Sequence, residues 1–306
     1  MRPFLILQLA ALMLAQQEIA TFRTGVAFVR MDVQVVENRR LIGSLEKADF
    51  RVYDESQSQE IVYFGRETDA LSLVLLLDVS GSMRRRLPEM AAASRQALAV
   101  LRPGDHVAVL LFARNMGVHL AFTDNFSHAV AALSSAQRVD DLGSGTAINS
   151  AVMEASKWMQ AELEGKPGRR AIVILTDNRG LNNKLPDEEA LEALYSADMV
   201  LNAIVPEDAD PPKPPPRGVE LNPDYTPPDV FKLARETGGE VLRSDRPGAV
   251  FREMMERART RYSLHYRAPE GSPGAFRRVR VELSPEARQR YRRAEVRARG
   301  GYYVPR

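Results

Sequence analysis

Four apolar runs constrain what this chain can fold into more than any other feature. They are the strands predicted at 72–77 ("SLVLLL"), 106–112 ("HVAVLLF"), 171–176 ("AIVILT") and 199–205 ("MVLNAIV"). Hydrophobic residues stand in them consecutively, not at every second position. A strand with one wet face alternates, whereas a strand covered on both faces reads as a continuous apolar run. Helical periodicity marks the stretches between and after them, near 87–101, 125–134, 147–163, 187–197, 228–237 and 247–259, with one further strand near 117–121. Parallel neighbours need a crossover, and a helix is the usual one. The alternation therefore predicts an α/β unit with a doubly wound, mainly parallel sheet.

The flanks obey a different rule. Val26–Val36, Phe50–Tyr53 and Ile61–Phe64 alternate apolar and polar residues, as do "RYSLHYRA", "FRRVRVEL" and "AEVRARGGYYV" near the other end. These are half-buried strands. Neither group has enough strands to be stable alone. Segments 22–70 and 260–306 are thus expected to pair into one small β module, with the α/β unit of 71–259 inserted between them.

The N-terminal "MRPFLILQLAALMLAQQ" has one early cation, Arg2, and an apolar run to Ala15. The run falls short of the ~20 residues needed to span a bilayer as a helix. It has the form of a secretory signal, residues 1–15. The expectation is an exported protein, periplasmic, cell-surface or secreted, with no membrane span once the signal is removed. The chain has no cysteine, which excludes disulfides and thiolate metal sites, and its formal charge of +2 says little about partners. Arginine is frequent from Arg252 to Arg299, but mostly in alternating strands. A solvated face is the default there, and nucleic-acid binding is not expected. Nine prolines between Pro206 and Asp229 forbid helix and inner strand. That segment follows the last apolar strand, so it is expected at the rim of the sheet's carboxyl edge.

The same edge collects unusual chemistry. "LLLDVSGSM" ends its apolar run in Asp78, then spaces Ser80 and Ser82 by single residues around Gly81. "LGSGTAINS" places Thr146 at a helix start, and "AIVILTDNRG" places Asp177 just past another strand. Parallel sheets bind ligands at their carboxyl edge. Two carboxylates and three hydroxyls are an all-oxygen set, which suits a hard divalent cation.

The D-x-S-x-S spacing of Asp78, Ser80 and Ser82 resembles the signature of the von Willebrand factor type A (vWA) domain. Thr146 and Asp177 match its second and third metal loops, and the resemblance spans 71–259. The five residues together look like a complete metal-ion-dependent adhesion site (MIDAS). The resemblance implies hydroxyl ligation by Ser80, Ser82 and Thr146, and direct or water-mediated ligation by Asp78 and Asp177. It implies Mg²⁺, or Mn²⁺ or Ca²⁺, with an open position for an Asp or Glu carboxylate from a protein partner. The flanks resemble a bacterial subgroup of exported vWA-related proteins. One position departs: the family often has Gly after the third-loop Asp, and here it is Asn178, which tolerates the same turn conformations.

No enzyme is expected. A D-x-D phosphatase would need an acid where Ser80 stands, and none of the four histidines, His106, His119, His128 and His265, belongs to a motif. The "GSGT" turn lacks the lysine of a nucleotide-binding loop. The alternatives are a structural or assembly module whose metal site is unused, and a metal-assisted hydrolase. Arg84, Arg85 and Arg86 could steer an acidic partner or form a solvated helical turn.

Overall fold

A computed structural model describes residues 28–66, 69–180, 183–213 and 226–304. The signal segment 1–15, the stretch 22–27 and residues 214–225 of the proline-rich insertion lie outside them. In chain order the elements are β1 (Phe28–Glu37), β2 (Arg40–Leu41), β3 (Phe50–Asp54), β4 (Gln57–Gln59), β5 (Tyr63–Arg66), β6 (Leu71–Asp78), α1 (Leu87–Leu98), β7 (His106–Phe112), β8 (Met116–Thr123) and α2 (Phe126–Ser135). They continue with α3 (Ile148–Glu162), β9 (Arg169–Leu175), α4 (Asp187–Ser196), β10 (Met199–Val205), α5 (Val230–Glu236), β11 (Val241–Arg243), α6 (Pro247–Arg259), β12 (Tyr262–Arg267), β13 (Phe276–Leu283), α7 (Pro285–Arg290), β14 (Glu295–Arg297) and β15 (Gly301–Tyr303).

The central sheet runs β11-β10-β9-β6-β7-β8. All its pairings are parallel except β7 with β8. Strand β6 lies in the middle, with Leu71–Leu77 in register with Arg169–Leu175 on one side and Ser72–Asp78 with His106–Phe112 on the other. Its continuous apolar run is two alternating patterns superposed. Leu73, Leu75 and Leu77 pack into the core under α1, α2 and α6, whereas Val74 and Leu76 pack into the core under α3, α4 and α5. Both faces are buried, so neither set can be polar.

The terminal strands pair across the whole length of the chain. One sheet has the order β14-β1-β12-β5, with β2 beside β1, and the other has the order β15-β13-β3-β4. Val29, Met31, Val33 and Val35 of β1 share one core with Phe50, Val52, Val279, Val281 and Leu283 of the second sheet. The two sheets therefore form a sandwich. Fully buried Asp54 ties it together, accepting from the hydroxyls of Tyr266 and Tyr302 at 2.8 and 2.9 Å and pairing with Arg277.

Three features differ from the sequence expectation. Strands β4 and β11 and helix α7 are too short to carry a period. "AEVRARGGYYV" is not one strand but two, β14 and β15, in different sheets. The chain changes sheet at Arg299–Gly300, where the Gly300 amide donates to the Glu236 carbonyl at 2.9 Å. A Cβ at Gly301 would collide with the Arg277 carbonyl and the Phe276 ring, so glycine is needed beside the crossing. The arginines are the third difference. Arg257, Arg259, Arg261 and Arg299 are not solvated; all are buried. Arg257 and Arg259 lie on α6, and Arg261 and Arg299 in the connections just before β12 and β15.

Those arginines belong to the joint between sandwich and α/β unit, at the amino edge of the central sheet. Arg169, first residue of β9 and 1% exposed, donates through Nε to Asp32 of β1 at 3.1 Å. Its other two nitrogens donate to the carbonyls of Arg259 and Ala258 at 2.7 and 2.8 Å, the last turn of α6. Arg257 is held between Glu240 and Glu253, and its carbonyl accepts from Gln34 of β1. Arg259 pairs with Asp105, which also accepts the Leu71 amide that begins β6.

Burial alone would raise the Asp32 pKa, but the charges of Arg169, Arg30 and Arg261 outweigh it and hold it below the ordinary value. Asp32→Ala leaves the Arg169 charge buried without its carboxylate. It should destabilise the fold by about 3 kcal/mol in urea titration at pH 7. A depressed carboxylate stabilises above its unfolded pKa and loses that contribution as pH falls through it. The difference between wild type and variant should therefore shrink below about pH 4.

Candidate metal centre

The candidate ligands sit at the opposite, carboxyl edge of the sheet. Strand β6 delivers Asp78 there fully buried, level with Phe112 at the end of β7. Asp78 Oδ1 accepts from the Ser80 amide at 2.9 Å, and Oδ2 accepts from Thr176 Oγ1 at 2.8 Å. Each carboxylate oxygen keeps further acceptor capacity. The amides of Met83 and Arg84 both donate to the Ser80 carbonyl, which closes the loop into a tight turn. Ser80 and Ser82 stand on that turn with their hydroxyls 3.4 Å apart, and Ser82 is exposed. Met83 is the loop's apolar anchor, 0% exposed.

Asp177 follows β9 and accepts from the Arg179 amide at 3.0 Å. Its charge acts on Asp78. Thr146, 3% exposed, is brought to the same edge by its neighbour, because the Ala147 amide donates to the Ala113 carbonyl at 2.8 Å. Ala113 directly follows Phe112, the register partner of Asp78. Hydrogen bonds and charge thus connect Asp78, Ser80, Ser82 and Asp177, while Thr146 joins them by backbone placement alone.

Sequence reasoning missed one residue here and saw only half the role of another. Thr176 is fully buried and links the loop after β9 to Asp78. Its only signal was a hydroxyl immediately before Asp177. Asn178 has φ of 59°, the left-handed region that glycine usually fills. Its side chain also donates to the Asp210 carbonyl at 3.0 Å and accepts from the Val230 amide at 3.1 Å. Asn178 therefore ties the third loop to the first residues of the proline-rich segment and to the start of α5, which glycine could not do. The first described part of that segment, 206–213, does lie at this edge, where Asp208 pairs with Arg179. Two of the three tandem arginines are engaged locally: Arg84 donates to the Gln137 carbonyl and Arg86 to Asp245. Arg85 is exposed.

Among the described residues no group of three or more His, Cys, Asp or Glu is arranged to hold a metal. The donor set here is instead two carboxylates with hydroxyls, all oxygen, which fits a hard divalent cation. The state of Asp78 fits it too. Burial, with the Asp177 charge adding, pushes its pKa up to about 6 despite the hydrogen bonds from Ser80 and Thr176. Two neighbouring desolvated carboxylates are costly without a compensating charge. Three of the four histidines make contacts elsewhere: His119 Nε2 lies 2.7 Å from Ser135 Oγ, His128 meets Asn125, and the His265 ring lies tilted against Tyr63.

Residues 73–180 match the family model of the von Willebrand factor type A domain, and the α/β unit is a domain of that class. Among solved structures, an aerotolerance-related membrane protein from Bacteroides fragilis is similar over 62% of this chain and 98% of its own, with 20% identity and a TM-score of 0.47. A von Willebrand factor type A protein from Catenulispora acidiphila is similar over 93% and 75%, with 14% identity and a TM-score of 0.43. Proximal thread matrix protein 1 of the mussel byssus, solved with zinc in its MIDAS motif, is similar over 68% and 50%, with 16% identity and a TM-score of 0.48. No curated protein matches. Among the described residues no helix is long and apolar enough to cross a membrane.

The raised Asp78 pKa has a measurable consequence. The penalty for ionising Asp78 begins near its unfolded pKa of about 4 and is complete above about 6. In chelator at pH 7.5, Asp78→Asn should be more stable than wild type by about 3 kcal/mol. The gain should vanish at pH 4. Thermal unfolding at the two pH values checks it.

Proposed function

We propose that this is an exported vWA-domain protein whose metal-ion-dependent adhesion site mediates divalent-cation-dependent binding to a protein partner. Asp78, Ser80, Ser82, Thr146 and Asp177 would hold the cation, Mg²⁺ in the first instance, with Mn²⁺ and Ca²⁺ as alternatives. Asp78 and Asp177 balance its two charges. The three hydroxyls donate little charge, so the bound cation keeps an appetite for one more anionic oxygen, which an Asp or Glu carboxylate of the partner supplies. The observation that carries this is Asp78. It is a buried acid at the carboxyl edge with capacity left on both oxygens, pushed toward protonation by its surroundings. The exposed Ser82 beside it leaves the centre open to a partner.

The proposal includes binding without turnover. It places the protein outside the cytoplasm, in the periplasm, at the cell surface or secreted, on the strength of the signal-like segment 1–15. Mature protein should begin near Gln16, which mass spectrometry of native material checks.

Titration calorimetry with Mg²⁺ and Mn²⁺ tests the site. Wild type should bind one ion, and Asp78→Ala should weaken binding by about a hundredfold or more, about 3 kcal/mol. Thr146→Ala removes one neutral hydroxyl, so metal should still bind while partner affinity falls. Equal metal affinity in wild type and Asp78→Ala would place the site elsewhere. Partners should be captured from an envelope fraction in Mg²⁺ and lost in chelator.

A further inference from the structure

The joint between the sandwich and the α/β unit holds an open cleft of about 330 Å³, at the sheet's amino edge, opposite the metal centre. We propose that this cleft is a second binding site, for a small aromatic acid of one or two rings carrying a single carboxylate.

The walls offer ring surface. Phe28, at the start of β1, is 57% exposed. Tyr195 and Tyr302 are buried, and their hydroxyls are already engaged by the Glu236 carbonyl and Asp54. They present only faces and edges to the cleft. Tyr303 continues the wall, and Phe276 packs on both Tyr195 and Tyr303, with centroids 5.5 and 5.1 Å away. Aromatic walls with a few convergent polar groups, at a boundary between two packed units, are the usual make-up of a small-molecule site, and the volume lies in the usual range.

The polar groups select the ligand's charge. Asp198 Oδ2 accepts Arg30 through Nε and Nη2 at 3.1 and 2.9 Å, and Asp198 Oδ1 pairs with Arg299 Nη1 at 2.8 Å. Among the lining residues two guanidiniums meet one carboxylate, while Asp32 and Asp69 act on Arg30 from outside the lining. Two nitrogens among the lining residues are buried without a hydrogen-bond partner, Arg299 Nε and His265 Nε2. The first can only donate and suits a carboxylate oxygen, whereas the second takes either role. Burial and the Arg30 charge push the His265 pKa below its ordinary value, so the ring adds no second charge at neutral pH. A neutral ring compound would leave the Arg299 Nε donor without an ionic partner, and a cation would meet the two lining guanidiniums. Asp198 holds both arginines from just past the end of α4, where its φ of 56° is a helix-terminal conformation that Asp can adopt.

Calorimetric titration of the full chain with 2-naphthoate, in chelator and at low salt, tests the proposal. One saturable site is expected, with 2-naphthamide, the neutral compound of the same shape, at least about tenfold weaker. Phe28→Ala, at an exposed position that leaves the fold intact by circular dichroism, should weaken naphthoate by about fivefold to tenfold. Phe28→Asp should weaken it further by repulsion, and Asp78→Ala should leave it unchanged. Absence of saturable binding, several equivalent weak sites, equal affinity for the amide, or indifference to both Phe28 substitutions would each overturn the site.

Discussion

The guanidinium of Arg169 is the interaction on which the arrangement of the molecule depends. It sits at the first residue of β9, almost wholly buried, and joins three parts of the chain: the central sheet, the end of α6 and strand β1 of the sandwich. A planar, permanently charged fork can satisfy a carboxylate and two carbonyls at once, which a lysine could not. Around it Arg257, Arg259 and Arg299 repeat the device with Glu240, Asp105 and Asp198. Buried ion pairs of this kind add little net stability but punish any arrangement that leaves one charge alone. Their effect is to specify how the sandwich sits on the sheet. Because the α/β unit begins at Leu71 and ends at α6, both at the amino edge, the sandwich is confined to that edge. The carboxyl edge, with Asp78, Asp177 and their loops, stays clear.

The two edges therefore differ in how they treat charge. At the amino edge each buried acid meets a guanidinium, and Asp32 is held below the ordinary carboxylate range. At the carboxyl edge Asp78 is just as buried but has only hydroxyl and amide partners, so its pKa moves the other way, to about 6. The cations within reach there do not cancel it: Arg86 is turned to Asp245 and Arg179 to Asp208. An acid left in this state makes sense as one half of an interaction whose other half comes from solution.

Much of this was legible in the sequence, for identifiable reasons. The run from Leu71 to Leu77 must feed two cores, so every residue of it but Ser72 is apolar, and that continuity announces a doubly covered strand. Asp78, Ser80 and Ser82 were legible because an acid ends the run abruptly. Thr176 was not, since a hydroxyl at a strand end has many uses and only the fold shows it reaching Asp78. The role of Asn178 was half visible: its tolerance of positive φ follows from its type, but its bonds to Asp210 and Val230 connect residues far apart in the chain. The arginines were misjudged only in part. Arg267, Arg278 and Arg280 on the strands are exposed as expected, but Arg257 and Arg259 stand on α6, and Arg261 and Arg299 in the connections before β12 and β15, where strand alternation says nothing about burial.

The pairing of the terminal strands bears on how the chain comes to its structure in time. Strand β1 lies between β12 and β14, and β3 lies against β13, so each sheet joins residues more than 200 positions apart. Contacts of such sequence separation form slowly. The α/β unit needs no strand outside 71–259 for its sheet and can close first. Strands β1 and β3 must then wait for partners until β12 to β15 have emerged. During that interval "FVRMDVQVVE" is an exposed, apolar, alternating segment of the kind that pairs with the wrong neighbour. The charges at Arg30, Asp32 and Glu37 along it discourage such pairing, so the same side chains that later fasten the joint also guard the unfinished molecule.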